Sequence, residues 1–176
     1  MNNSFLYFAY GSNMLTRRLA ARCPSAHVVD TGFIKNFVLK FTKISSDGSG
    51  KATPIASPGK KLPGVIFRIN ANEIDLLDKA EGVGFGYDRK SIQVFDKSMK
   101  GLVTAETYFA SSLDEKLKPY DWYRALVLAG SMQHNLSEAH QQYIRSTDAL
   151  IDVDTNRNSR RKALAILSDS GFGELA

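Results

Sequence analysis

The stretch FLYFAYGSNM, residues 5–14, decides how the rest of this 176-residue chain is interpreted. Its first six residues are apolar or aromatic, which predicts a strand that is buried on both faces. A short polar turn, Gly11-Ser12-Asn13, then ends the strand. The following residues 15–23, LTRRLAARC, have the apolar spacing of a helix. The sequence therefore predicts a buried strand, a tight turn and the start of a helix.

A turn between a strand and a helix can bind an anion. Free backbone N–H groups converge there, and the helix dipole adds positive potential. Gly11 has no Cβ, so a ligand can approach the backbone closely at that residue. The alternative is an ordinary connection in which Ser12 or Asn13 caps the helix. The residues of the turn alone leave both interpretations open.

Length and composition predict a single domain of a soluble globular protein. The chain has 176 residues, 43% hydrophobic and 23% charged, which is enough to bury a sizeable core. A net charge of +5 is mildly basic and does not indicate nucleic-acid binding. No apolar run approaches the ~20 residues that span a bilayer, and the amino terminus lacks a basic secretory leader. We therefore expect a cytoplasmic protein without a membrane or nucleic-acid partner.

The number of cysteines excludes two kinds of site. Cys23 is the only cysteine, so an internal disulfide and a metal–thiolate cluster are both excluded. Cys23 precedes Pro24, which disfavours helical backbone in the residue before it and so ends the first predicted helix. A buried structural thiol is the favoured interpretation of Cys23.

The remaining pattern mixes strands and helices without the regular alternation of a doubly wound sheet, which predicts an α+β fold. Strands are predicted at 33–44, at 52–59 and 62–69 with a Pro/Gly turn between them, and as a hairpin at 87–95 and 101–109. Helices are predicted at 70–82, 120–132 and 135–144.

Glu81 stands at the end of the second predicted helix, directly before Gly82. A carboxylate there opposes the helix dipole, which favours cations at the carboxyl end. A residue that opposes local preference is a candidate functional group, although periodicity alone favours an exposed helix-end glutamate. Asp78 lies three residues earlier on a neighbouring face of the same helix and is the second candidate.

The segment FLYFAYGSNM resembles the N-terminal segment of the γ-glutamylcyclotransferase family, in which an apolar strand is followed by Y-G-S-N. The resemblance covers about residues 5–144. It implies a small mixed β-barrel flanked by helices, with a pocket at one end. An E-G-V segment after a short amphipathic helix also matches this family. The resemblance implies that Glu81 is the catalytic acid–base.

The same resemblance implies the substrate-binding residues. It assigns the turn Tyr10-Gly11-Ser12-Asn13 to the α-carboxylate of a γ-glutamyl group. Tyr87 follows the glutamate and its loop, and it is expected at the pocket. Tyr123 precedes an apolar helix that ends in Gly-Ser, and the resemblance implies that its hydroxyl lines the same pocket.

The activity implied is cyclisation of a γ-glutamyl group to 5-oxoproline with release of the attached amine. One carboxylate can remove a proton from the α-amine and then donate it to the leaving amine. Ring closure within one molecule depends on positioning, so no metal or organic cofactor is expected. Free γ-glutamyl-amino acids are the first expectation, ahead of glutathione, γ-glutamylamines and protein-linked adducts. A non-catalytic metabolite-binding module is the alternative, and the sequence indicates no oligomeric state.

The chain changes character after the predicted catalytic domain, residues 1–145. Residues 146–176 are polar and basic, and RRKALAIL within them could form one short helix. A solvated, partly disordered tail is the favoured interpretation, and docking to a partner or an anionic surface is the alternative.

Overall fold

The structure is a computed structural model that describes residues 3–97 and 101–176. Its strands are β1 (Ser4–Ala9), β2 (His27–Ile44), β3 (Gly50–Asn70), β4 (Tyr87–Asp96) and β5 (Leu102–Ala110). They form a closed barrel in the order β1-β3-β2-β4-β5. A parallel pairing between β1 and β5 closes it, whereas the other neighbours are antiparallel. The predicted α+β fold with a small mixed barrel is confirmed, although residues 98–100 of the predicted hairpin turn lie outside the described residues.

Helices flank the barrel on the outside. Within the described ranges they are α1 (Thr16–Ala20), α2 (Ile74–Glu81), α3 (Asp121–Gln133), α4 (Glu138–Ser146) and α5 (Asn158–Asp169). Short 3-10 turns at Ser12–Met14, Ala71–Glu73 and Gly173–Leu175 precede α1 and α2 and follow α5. None of the helices in residues 3–97 and 101–176 combines the length and the apolar character needed to cross a bilayer.

The prediction of two short strands within residues 52–69 is wrong, because β3 is one strand of 21 residues. It pairs with β2 over most of its length, with register shifts that include one between Lys35 and Phe37. The first part of β3 pairs on one side only, since its ladder with β1 begins at Val65. A strand edge that makes no ladder tolerates prolines, so Pro54 and Pro63 do not interrupt β3.

Helix α3 packs against the turn that follows β1. Its buried face includes Leu126 and Ala129, and both are fully buried. Gly130 is required at the contact because a Cβ there would lie 2.6 Å from the backbone nitrogen of Leu15. The close approach of α3 fixes the turn between β1 and α1 in place.

The C-terminal segment folds onto the same helix. Ala163 and Leu167 of α5 are fully buried, and α5 packs against α3. Ahead of α5, Asp152 accepts hydrogen bonds from Trp122 Nε1 at 2.9 Å and from Arg157 Nε at 2.7 Å. The solvated-tail interpretation is therefore wrong for α5, because its apolar residues lie on one face and find a partner in α3. The division at residue 145 stays a prediction.

Candidate active site

The turn after β1 is built differently from the sequence prediction. Ser12–Met14 form a 3-10 turn, and α1 begins only at Thr16. Neither of these helical segments has a side-chain cap, so the capping alternative for Ser12 and Asn13 is wrong. Both residues are buried, with exposed fractions of 8% and 4%. Their side chains are therefore available for contacts across the site.

Asn13 joins three elements through its side-chain amide. Its Nδ2 donates to Glu81 Oε1 at 2.8 Å and to Tyr7 Oη at 3.0 Å. Its Oδ1 accepts from Arg22 Nη1 at 2.9 Å. The amide thus links β1, the end of α2 and the residues after α1, and it fixes the position of the Glu81 carboxylate.

Glu81 is the last residue of α2, and the backbone turns away immediately after it. Gly82 adopts a left-handed conformation with φ 69° and ψ 47°, which is strained for other residues. Arg22 Nη1 lies 2.5 Å from Glu81 Oε1. The two side chains are only 15% (Glu81) and 22% (Arg22) exposed, so this ion pair is weakly screened by solvent.

Asp78, the second candidate acid–base, points to other partners. It accepts a hydrogen bond from Tyr108 Oη at 2.7 Å and another from Arg89 Nη1 at 2.8 Å. It does not line the pocket that contains Glu81. Of the two candidate carboxylates, Glu81 is therefore the one that lies in this pocket.

The tyrosine hydroxyls around the pocket fall into two groups. Tyr87 Oη donates to the carbonyl of Ala52 at 2.7 Å, and Tyr10 Oη donates to the carbonyl of Tyr108. By contrast, Tyr123 Oη accepts from the backbone N–H of Ala52 at 3.2 Å. Tyr7 Oη likewise accepts, from Asn13. Tyr7 and Tyr123 are thus the acceptors in these two bonds, and the Tyr123 hydroxyl also contacts the Ser12 side chain.

Burial keeps these hydroxyls protonated. It raises the pKa of Tyr7 and of Tyr123 above the ordinary value for a phenol, and the negative charge of Glu81 raises both further. Burial also raises the pKa of Tyr10 and Tyr87. All four are hydrogen-bond donors, not phenolates, at neutral pH.

The structure brings every predicted site residue into one pocket. Its lining comprises the predicted Tyr10, Gly11, Ser12, Asn13, Glu81, Tyr87 and Tyr123, together with Tyr7, Ala52 and Tyr108. The pocket has a volume of about 20 Å³, which is room for a water-sized molecule. A second cavity of about 730 Å³ shares Tyr123 with it and is also lined by Arg22, the partner of Glu81.

Sequence reasoning missed Tyr7, Ala52 and Tyr108 of the pocket lining and two arginines beside it. Nothing in the apolar strand distinguishes Tyr7 from a core residue. Arg22 contacts Glu81, and Arg18 Nε donates to Ser12 Oγ at 3.0 Å. The two arginines stand four residues apart directly after the turn, and that spacing could have identified them as neighbours on one face.

Residues 3–97 and 101–176 contain no group of three or more His, Cys, Asp or Glu side chains that could hold a metal ion. Cys23, predicted to be a structural thiol, is fully buried, and burial raises its pKa to about 11.

Comparisons with known proteins agree with this geometry. The pattern that defines the AIG2-like family matches residues 61–145. A γ-glutamylcyclotransferase of Mus musculus is 32% identical over 151 residues, which are 82% of this chain and 79% of the mouse protein. The Homo sapiens γ-glutamylcyclotransferase is 31% identical over the same shares of the two chains.

A solved structure of a γ-glutamyl cyclotransferase superposes with a TM-score of 0.84 at 26% identity, covering 94% of this chain and 99% of that one. The identity extends over most of both curated relatives, and the match in structure extends over nearly the whole fold. The chain belongs to the γ-glutamylcyclotransferase family of enzymes.

Proposed function

We propose that this protein cyclises a γ-glutamyl group to 5-oxoproline and releases the attached amino acid, with Glu81 as general acid and base. The observation that carries the proposal is the hydrogen bond of 2.8 Å between Glu81 Oε1 and Asn13 Nδ2. It holds a carboxylate against the Y-G-S-N turn within a tyrosine-lined pocket.

The charges around the pocket suit the amino-acid end of a γ-glutamyl substrate. Arg18 and Arg22 lie next to the turn through their bonds to Ser12 and Asn13. Arg22 gives that side of the pocket a positive potential that suits the α-carboxylate of the glutamyl group once it is released from Glu81. Glu81 supplies the negative charge that suits the α-ammonium group. A substrate bound in this orientation has its reacting amine beside Glu81.

The reaction then needs a single carboxylate. Glu81 removes one proton from the α-ammonium group, and the free amine attacks the γ-carbonyl carbon. A new C–N bond forms, and the carbonyl oxygen gains negative charge in the tetrahedral intermediate. The bond to the leaving nitrogen breaks as Glu81 returns the proton to it. Glu81, ionised again, then takes the second proton from the ring nitrogen and passes it to the released amine. The products are 5-oxoproline, with one hydrogen on its ring nitrogen, and the leaving group as an ammonium ion.

The hydroxyl groups of Tyr7 and Tyr123 are suited to stabilise that oxygen. Each hydroxyl is the acceptor in its bond to Asn13 or to the Ala52 N–H, so its proton can turn towards the substrate oxygen, and Tyr123 would exchange its contact with the Ser12 side chain for that bond. Preorganised donors aimed at a developing charge in a dry site make a large contribution to catalysis. We assign Tyr10 and Tyr87 to the wall of the pocket, because their protons are bonded to backbone carbonyls.

Substrate binding requires side chains to move. A volume of about 20 Å³ cannot contain a γ-glutamyl group. Arg22 is the side chain best placed to open the pocket, because it borders the larger cavity and is partly exposed. Its guanidinium group would leave Glu81 as the substrate α-ammonium group takes its place, so that the carboxylate keeps a cationic partner.

Free γ-glutamyl-amino acids are the proposed substrates. The relatives of mouse and human that match most of this chain carry the name γ-glutamylcyclotransferase. A yeast enzyme described as specific to glutathione matches with a TM-score of 0.52 at 13% identity, which shows the fold alone. A cytoplasmic location stays a prediction.

The test is release of 5-oxoproline from a panel of γ-glutamyl dipeptides, γ-glutamylamines and glutathione. Wild type, Glu81→Gln and Asp75→Asn are compared; Asp75 is an exposed carboxylate on the same helix and serves as the matched control. We expect release by wild type and by Asp75→Asn and its loss in Glu81→Gln. Normal turnover by a folded Glu81→Gln variant would refute the role of Glu81. No release by folded wild type from any substrate would instead favour the metabolite-binding alternative.

A further inference from the structure

The cavity of about 730 Å³ beside the pocket lies under the C-terminal helix. Its size falls within the range of ligand-binding pockets, about 300–1,000 Å³. Helix α5 contributes one wall through a face of residues spaced by three or four positions, namely Ser159, Lys162, Ala165 and Ile166. This wall lies in the segment that the sequence predicted to be a tail.

Positive charge dominates the lining of this cavity. Four cationic side chains, Arg18, Arg22, Lys51 and Lys162, line it together with one carboxylate, Asp47. Two of the cations are already neutralised. Arg22 pairs with Glu81, and Lys51 Nζ lies 2.8 Å from Asp47 Oδ2.

The other two cations have no carboxylate partner in the part of the chain that the structure describes. Among the described residues, Arg18 donates to the hydroxyl of Ser12 and Lys162 makes no hydrogen bond or ion pair. Burial and the neighbouring charge of Arg22 lower the pKa of Arg18, whereas the negative charge of Glu81 acts in the opposite direction. An anion in this cavity would pair with these two cations.

The cavity also offers apolar surface beside the charges. Trp122, Ala21 and Ile166 line it, and Trp122 is almost fully buried. The ligand that fits such a lining has an apolar body and one anionic group. An α-amino acid with a large side chain, still joined through its nitrogen to the γ-glutamyl group, has this chemistry.

We propose that Lys162, together with Arg18, binds the α-carboxylate of the leaving amino acid, so that helix α5 determines which leaving group is accepted. This rests on the proposed cyclotransferase function and assigns a specificity-determining residue within it. The anchors of α5 support the assignment. Asp152 accepts hydrogen bonds from Trp122 in the cavity wall and from Arg157, which directly precedes α5. These bonds position the start of the helix that carries Lys162.

The test uses two substrates that differ by one carboxylate, γ-glutamyl-phenylalanine and γ-glutamyl-phenethylamine. Lys162→Met removes the charge and keeps an apolar side chain, whereas Lys162→Arg restores a cation. Arg161→Met is the matched control, because Arg161 is exposed on the same helix and does not line the cavity.

We expect Lys162→Met to raise KM for γ-glutamyl-phenylalanine roughly three- to fivefold, the size typical of an accessible ion pair, with kcat unchanged. KM for γ-glutamyl-phenethylamine should not change, and Lys162→Arg should behave as wild type. Equal effects on both substrates, no effect on either, or the same effect in Arg161→Met would overturn the assignment of Lys162.

Calorimetric binding of the two substrates to Glu81→Gln, with and without Lys162→Met, separates this inference from the proposed reaction. Weaker binding of the carboxylate-bearing substrate alone in the double variant supports Lys162 even if wild type releases no 5-oxoproline. Unchanged binding of that substrate refutes the inference whether or not the enzyme turns over.

Discussion

The pocket around Glu81 and the larger cavity share Tyr123 but differ in how their polar side chains are paired. In the small pocket, Asn13, Glu81 and Arg22 bond one another, and each of its tyrosine hydroxyls makes a hydrogen bond to protein. In the larger cavity two cations lack a carboxylate partner among the described residues, and one wall is a single helix from the end of the chain. The first is small and its polar groups are bonded to one another, whereas the second is larger and lined by four cationic side chains.

From this difference we expect the pocket to perform the reaction and the larger cavity to select the leaving group. Preorganised, desolvated groups accelerate a reaction because they need not reorganise when charge develops. Lys162 in the larger cavity is exposed, so water screens its charge and it discriminates between ligands by smaller free energies. We therefore expect changes in the pocket to lower turnover for every substrate. Changes in the cavity should alter the preference among leaving groups.

The largest expected effect is that of Glu81→Gln. It should lower kcat by about 10²–10⁴-fold, the range of general acid–base catalysis, on substrates with and without a carboxylate on the leaving group. Gln can still accept from Asn13 and Arg22, so the thermal melting curve should change little. A loss confined to one class of substrate would contradict the separation of roles.

The next largest effect is expected from truncation of a buried side chain that holds α5 against α3. Leu167 is fully buried, and Leu167→Ala should lower the free energy of unfolding by about 2–5 kcal/mol. Denaturant titration measures this, with Leu164→Ala, at a partly buried position of the same helix, as the milder comparison. An unchanged midpoint for Leu167→Ala would show that α5 is a detachable tail and does not form a fixed wall.

Two tyrosines of the pocket should differ in their effect on turnover. Tyr123→Phe removes the hydroxyl that we assign to the developing oxyanion and should lower kcat by about 10²-fold. Each of Tyr123→Phe and Tyr87→Phe leaves a buried backbone group of Ala52 without its partner, so each should cost about 1–3 kcal/mol of stability, but Tyr87→Phe should have the smaller effect on kcat. Steady-state kinetics and denaturant titration on both variants measure the two effects. A loss of kcat in Tyr87→Phe as large as that in Tyr123→Phe would overturn the assignment of Tyr123.

The smallest expected effect is that of salt. Raising the ionic strength from 0.01 M to 0.5 M should raise KM for γ-glutamyl-phenylalanine severalfold more than KM for γ-glutamyl-phenethylamine, because Lys162 is exposed and salt screens its charge. kcat should change little for either substrate, since the Glu81 side chain is only 15% exposed. The same salt dependence for both substrates would place the carboxylate outside the cationic cavity.

Local pattern was sufficient for most elements of this fold. The apolar run of β1, the glycine after α2 and the spacing of α3 each depend on residues close in sequence, and the structure has these elements where they were predicted. Pattern was insufficient for β3. The prolines of this segment predicted a turn, but a strand that pairs on one edge only can contain them. Which edge of β3 lacks a ladder depends on where β1 and β2 pair with it, and no local pattern shows that.

The sequence by itself determined the class of barrel and identified seven of the residues that line the pocket. Both followed from the short motifs Y-G-S-N and E-G-V, which resemble those of a known family. Only the tertiary structure decided how those residues are bonded. Asn13 and Glu81 are 68 positions apart, and no local pattern shows that they share a hydrogen bond. The same holds for α5: its apolar face is visible in the sequence, but the partner that buries it is set by the packing of α3.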